Sequence, residues 1–116
     1  MGNILGYAAI TDWGTFTGNG GGTTFNITHN VTLPNDLTKA FCIVQAGSPA
    51  AIINNTTTPP TVLTFYTTLT ATNIIVTYHY ITPSGSGNIT LHWMVGKKHA
   101  VREEIYAVTR DTIPDE

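Results

Sequence analysis

Residues 88–95 place Ile89, Leu91, Trp93 and Val95 on one phase of a two-residue period, and Asn88, Thr90 and His92 on the other. Successive side chains of an extended chain point to opposite faces, so this stretch predicts a half-buried β-strand. The same grammar recurs along the chain. In residues 25–33 the odd positions are apolar apart from His29 and the even ones are polar, and Pro34-Asn35-Asp36 ends the run. Further on, Leu63, Phe65 and Leu69 oppose Val62, Thr64, Tyr66 and Thr68, while Ile74, Val76, Tyr78 and Tyr80 share one face of a β-branched and aromatic segment. Residues 39–45 form a continuous apolar run that suits a central strand, covered on both faces. Residues 51–53 predict a short strand before the turn segment 54–60, and Pro83-Ser84-Gly85-Ser86-Gly87 predicts a flexible hairpin connection. No helical period emerges. The expectation is an all-β chain: a single β-sandwich or jelly-roll-like domain of about seven to eight strands, with extended N- and C-terminal segments.

Charge is spread unevenly over these strands. Residues 1–96 hold only Asp12, Asp36 and Lys39, residues 40–96 hold no charged side chain, and residues 97–116 hold nine. Charged residues make up 10% of the 116, and threonine, at 22 residues, fills much of the gap. The usual charged share is about 25%. A monomer ordinarily keeps itself soluble and blunts its sheet edges with charge. A surface of Thr and Asn points instead to faces covered by other subunits, because interface cores are depleted in Lys, Glu and Asp. Three regions are therefore expected. Residues 1–24, with Gly18-Asn19-Gly20-Gly21-Gly22, form an inter-subunit segment; residues 25–96 form the sandwich body; residues 97–116 form a charged arm or an added strand. Within that arm, residues 104–109 suit a strand and residues 101–108 suit a short helix. Aromatic and cationic side chains on the flanking segments supply the expected assembly contacts: Trp13, Phe16, Lys97, Lys98, Arg102, Tyr106 and Arg110.

Several chemistries find no footing. A net charge of −2 with five Lys and Arg argues against neutralising a phosphate backbone. Apolar runs of about six residues are too short to span a bilayer. The first residues lack a basic stretch and a long apolar core, so no secretory signal is expected. Cys42, the single cysteine, excludes an intrachain disulfide and a zinc ribbon, and its apolar neighbours suit a buried small hydrophobe. The glycine cluster is not followed by Lys-Ser or Lys-Thr, so it predicts a flexible loop and no phosphate cradle. Asp12 and Asp36 are the only carboxylates of the β region, no G-x-S-x-G occurs, and the three serines fall in turn-like segments. His29, His79, His92 and His99 lack metal-binding spacing and suit satisfied or solvent-facing imidazoles. Alternating polar strands generate N-x-T by themselves, which accounts for the sequons at Asn26, Asn30, Asn54, Asn55 and Asn88. Trp93 shares the core phase with Leu91 and Val95, whereas Trp13 is the better exposed aromatic. No enzyme activity, cofactor or metal is expected.

The pattern resembles small β-sandwich proteins of tailed-phage virions. The resemblance rests on residues 38–44, on the pair of segments 62–65 and 69–76, and on the W-x-V of Trp93-Met94-Val95. Fibre domains similar to H-type lectins share this grammar, and the chain continues past Val95 where such a domain would end. What the resemblance implies is a head decoration (cement) protein on the virion capsid surface, made in the host cytoplasm. It would be a homo-oligomer, with a trimer favoured, bound to the major capsid protein and to neither nucleic acid nor membrane. The alternative it implies is a carbohydrate- or receptor-binding tip domain of a tail fibre.

Overall fold

The structure, a computed structural model, describes residues 8–98. Eight strands follow in order: β1 (Ala8–Gly18), β2 (Thr24–Thr28), β3 (Ala40–Ala46), β4 (Ile53–Asn54), β5 (Thr61–Val62), β6 (Phe65–Leu69), β7 (Asn73–Tyr78) and β8 (Ile89–Lys98). One antiparallel sheet has the order β1-β8-β3, a second β2-β7-β6, and β4 pairs with β5 as a small third. The partners β1:β8, β2:β7 and β4:β5 nest inside one another along the chain, as in a ribbon folded over on itself. The all-β expectation of about eight strands holds.

Alternation decides what each sheet buries. Ile89, Leu91 and Val95 of β8 are fully buried, and they meet Ile74, Val76 and Tyr78 of β7 with Phe25 and Ile27 of β2. Leu63 and Ala51 close one end of this core. A chain of edge-to-face rings runs through it, Phe16 on Phe25 at 6.0 Å, Phe25 on Tyr78 at 5.8 Å and Phe65 on Tyr78 at 5.1 Å. The two central strands, β7 and β8, supply six of the ten buried residues of this core, and burial of such apolar surface is the main favourable term in folding.

The structure corrects four expectations. Residues 8–18 are not a segment outside the body: they form the longest strand and pair with β8 along their length. The apolar run in residues 39–45 lies at a sheet edge, with Ile43 52% exposed, because β8 takes the central place. Residues 83–87 are no hairpin, since β7 and β8 belong to different sheets and the chain crosses between them. β7 ends at Tyr78, so Tyr80 leaves the core face and is exposed.

The glycine cluster is tied down as well. The Gly20 amide donates to the Gly85 carbonyl (3.1 Å) and to Asn88 Oδ1 (2.8 Å), while Asn88 Nδ2 donates to the Pro83 carbonyl (2.8 Å). Gly21 donates to Thr82, and Gly87 donates to Asn19 Oδ1. A Cβ on Gly20 would stand 1.7 Å from the Pro83 oxygen, so only glycine lets these loops approach. The expected arm, apart from Lys97 and Lys98 at the end of β8, lies outside the described residues, and with it the strand and helix expectations for it.

Candidate interaction surface

The register of the β1-β8-β3 sheet dictates what its outer face carries. Trp13 pairs with Met94, and Met94 pairs with Ile43 on its other side, which makes an apolar row across all three strands. Trp13 is 71% exposed. The next row is polar: Thr15, His92 and Gln45, with Thr15 Oγ1 3.1 Å from His92 Nδ1. Together the two rows line an open groove of about 590 Å³. Among the described residues, His92 is its only titratable lining side chain.

Trp13 is held in place from behind. The Asp12 carboxylate accepts the Trp13 amide (3.0 Å) through one oxygen and the Asn30 amide (3.2 Å) through the other. Beneath Gly14 lies the Trp93 indole, whose Cζ2 would be 3.0 Å from a Cβ at that position. One tryptophan thus fills the interior under β1 while the other stands outside it.

The residues expected to make assembly contacts divide accordingly. Trp13 lies on the open face. Phe16 points inward and packs, partly buried, against Phe25 and the core. Lys97 and Lys98 are exposed at the end of β8. They border, with Lys39, a second groove of about 410 Å³ over Thr32, Leu33 and Pro34. Arg102, Tyr106 and Arg110 lie outside the described residues. Sequence reasoning missed Ile43, Met94, Gln45 and His92 as one surface. Met94 carried a usable signal, being a large apolar side chain on the polar phase of residues 88–95. Ile43 carried none, because every neighbour in its run is equally apolar.

No family model, curated protein or solved structure matches the chain.

Other polar groups serve the fold. The His29 ring is buried, with Nδ1 accepting the Val31 amide (3.2 Å) and Nε2 donating to the Thr70 carbonyl (3.1 Å), which satisfies a neutral imidazole. Asn54 is buried and its amide donates to the Ile81 carbonyl (2.9 Å), so this sequon holds the β4–β5 end of the domain. Cys42 is half-buried, and its Sγ–H points at Thr67 Oγ1 (3.7 Å). Asp36 caps the short 3-10 turn Leu37–Lys39, and the Thr38 hydroxyl and amide hold its carboxyl below the usual carboxylate range. Among the described residues no three His, Cys, Asp or Glu side chains gather as a metal set.

Proposed function

We propose that the protein is a structural assembly component, specifically a virion decoration protein that self-associates and binds the major capsid protein. The observation that carries this reading is the uncharged middle of the β1-β8-β3 outer face, where Trp13, Met94 and Ile43 share one row beside Thr15, His92 and Gln45. An exposed aromatic with flanking aliphatics and no Lys, Glu or Asp is the composition of an interface core. Binding several capsid subunits at once through such faces raises affinity by effective concentration, without any single strong contact. The phage attribution comes from the resemblance of residues 38–95 alone.

A second reading has its own support. Trp13 stands beside Thr15, His92 and Gln45, an aromatic platform with hydrogen-bonding groups at its rim. That combination suits a sugar ring, apolar on one face and hydroxylated at its edge, and so the receptor-binding tip of a tail fibre.

The test is a paired binding measurement on one preparation. The decoration reading expects saturable, stoichiometric binding to expanded capsids that lack the protein, and a rise in their resistance to heat. The fibre-tip reading expects no capsid binding, together with glycan-dependent quenching of tryptophan fluorescence that Trp13→Phe weakens. Absence of both would remove both readings.

A further inference from the structure

Among the described residues the β1-β8-β3 sheet ends at β3. A complete eight-stranded roll divides into two sheets. Here the two large sheets hold three strands each, and among the described residues no strand pairs with the outer side of β3. Nor do the backbone bonds of turns and loops engage any of residues 41–46. β6 belongs to the opposite sheet and meets β3 side chain to side chain, through Cys42 and Thr67, without joining its ladder.

An open edge is a template for another strand, and proteins normally blunt it with charge, proline, a bulge or shortness. The other edges carry such devices. β1 has a bulge between Ile10 and Asp12, and the Asp12 carboxylate already occupies the Trp13 amide. β2 and β6 are five residues each, and their outward positions are Thr, Asn and one Tyr. β3 has none of them. Its seven residues, Ala-Phe-Cys-Ile-Val-Gln-Ala, contain no charge, proline or glycine, and their register with β8 is unbroken. At its midpoint stands Ile43, half exposed.

We infer that β3 pairs antiparallel with β3 of a second copy, about a two-fold axis at Ile43. Symmetry fixes the register. Ile43 lies opposite the partner's Ile43, Phe41 opposite the partner's Gln45, and Cys42 opposite the partner's Val44. The two sheets join into one of six strands, and both apolar rows become a single stripe with a Trp13 at each end. A second copy is the occupant because an isologous contact sets one surface against itself. Each residue off the axis then meets a different residue of the partner, and residues 40–46, being uncharged, set no like charges against one another in that register. The inference rests on the self-association proposed above, and a two-fold axis gives an even-numbered oligomer in place of the trimer that the resemblance implies.

Sedimentation and disulfide trapping test it. The wild type is expected to sediment as a dimer or a multiple of one. Ile43→Lys, which opposes two like charges across the axis, is expected to weaken that association at least about tenfold while leaving the far-ultraviolet circular dichroism unchanged. In a Cys42→Ser background, Ile43→Cys is expected to form an intermolecular disulfide. Directly opposed residues of antiparallel strands have Cα atoms about 4.5–5.5 Å apart, inside the disulfide range. Gln45→Cys in the same background is expected to stay unlinked, because the two copies of position 45 do not face each other. A wild-type monomer at about 100 μM, far above the Kd of a stable dimer, would overturn the pairing. So would an oligomer that Ile43→Lys leaves intact and Ile43→Cys fails to trap. A trapped dimer that ignores decoration-free capsids would instead remove the capsid assignment and leave the β3 contact standing.

Discussion

The middle rows of the two outer faces are alike in lacking charge and differ in how their side chains meet water. On the β2-β7-β6 side the rows across the sheet are Thr24–Thr77–Tyr66 and Asn26–Ile75–Thr68, and Thr28 accepts a hydrogen bond from the Asn73 amide (3.2 Å). On the β1-β8-β3 side the corresponding row is Trp13–Met94–Ile43. Hydroxyls and amides bond to water and to one another, so the first face is soluble without ions. Indole, thioether and branched aliphatic side chains have no such outlet, and leaving them in water forfeits about 25 cal/mol for every Å² that a partner could cover. Low charge therefore does not by itself mark a binding face. What separates the two is whether the uncharged side chains can still satisfy water.

The comparison holds only if the inner faces are equivalent, so that the sheets differ solely on the outside. Ile74 and Leu91 sit at the centre of the two inner faces, each with no exposed surface. Truncating either to alanine removes buried methyl groups and leaves a cavity that the packed sheets close only in part. Each variant is expected to lose about 2–5 kcal/mol in denaturant unfolding. If Ile74→Ala cost several-fold less than Leu91→Ala, the β2-β7-β6 sheet would be a loosely attached cover, and its polar outer face would need another explanation.

The inward rows of β7 and β8 were legible because their inward residues are all large and apolar. β1 was not, and Trp93 is the reason. Its indole lies beneath β1, where a Cβ at Gly14 would crowd it, and the glycines at 14 and 18 erase the apolar alternation that would mark a strand. Residues 8–18 consequently resemble the glycine cluster that follows them. The edge position of β3 was equally hidden, since a run buried on both faces and a run waiting for a partner have the same composition. Nor could the chain order foretell that Asn19, Gly20 and Gly21 bond to residues 82–88, because those contacts bridge more than sixty positions. In the interaction surface, Trp13 stood out as an aromatic with no core phase to join. Its neighbours Met94 and Ile43 became neighbours only through the register of three strands.

A smaller effect separates the inner and outer phases of a single strand. Tyr78, on β7, is 3% exposed, and its hydroxyl donates to the Ala51 carbonyl (2.8 Å). Burial disfavours the phenolate and pushes the phenol pKa up to about 12, against an ordinary value of 10.0. Between those two values the unfolded chain has released a proton that the folded one retains. Stability is thus full below pH 10 and falls as pH rises through that window. The expected loss is on the order of 2 kcal/mol by pH 12. Tyr78→Phe is expected to cost about 1 kcal/mol at neutral pH through the lost hydrogen bond, and to flatten the alkaline step. Unfolding midpoints measured from pH 9 to 12 in both proteins check this; equal slopes would mean that the phenol reaches water in the folded state.

The smallest stability effects should fall on the outer faces, and there the two sheets should part. Trp13 and Tyr66 are both exposed aromatics, 71% and 55%, one on each face. Substituting either with serine removes side-chain surface that already faces solvent, so unfolding free energies should change by no more than about 0.5 kcal/mol. Association should discriminate where folding does not. Trp13→Ser takes away the end of the apolar row that lies two strands from the β3 contact, and is expected to weaken capsid binding by about tenfold, within the range of an aromatic at an interface, while leaving self-association through β3 intact. Tyr66→Ser interrupts a row made otherwise of threonines, whose places water fills, and is expected to leave both measurements unchanged. Equal losses from the two variants would mean that the Thr- and Asn-rich face also meets a partner, and that the absence of charge, rather than the presence of apolar surface, is what marks a contact in this protein.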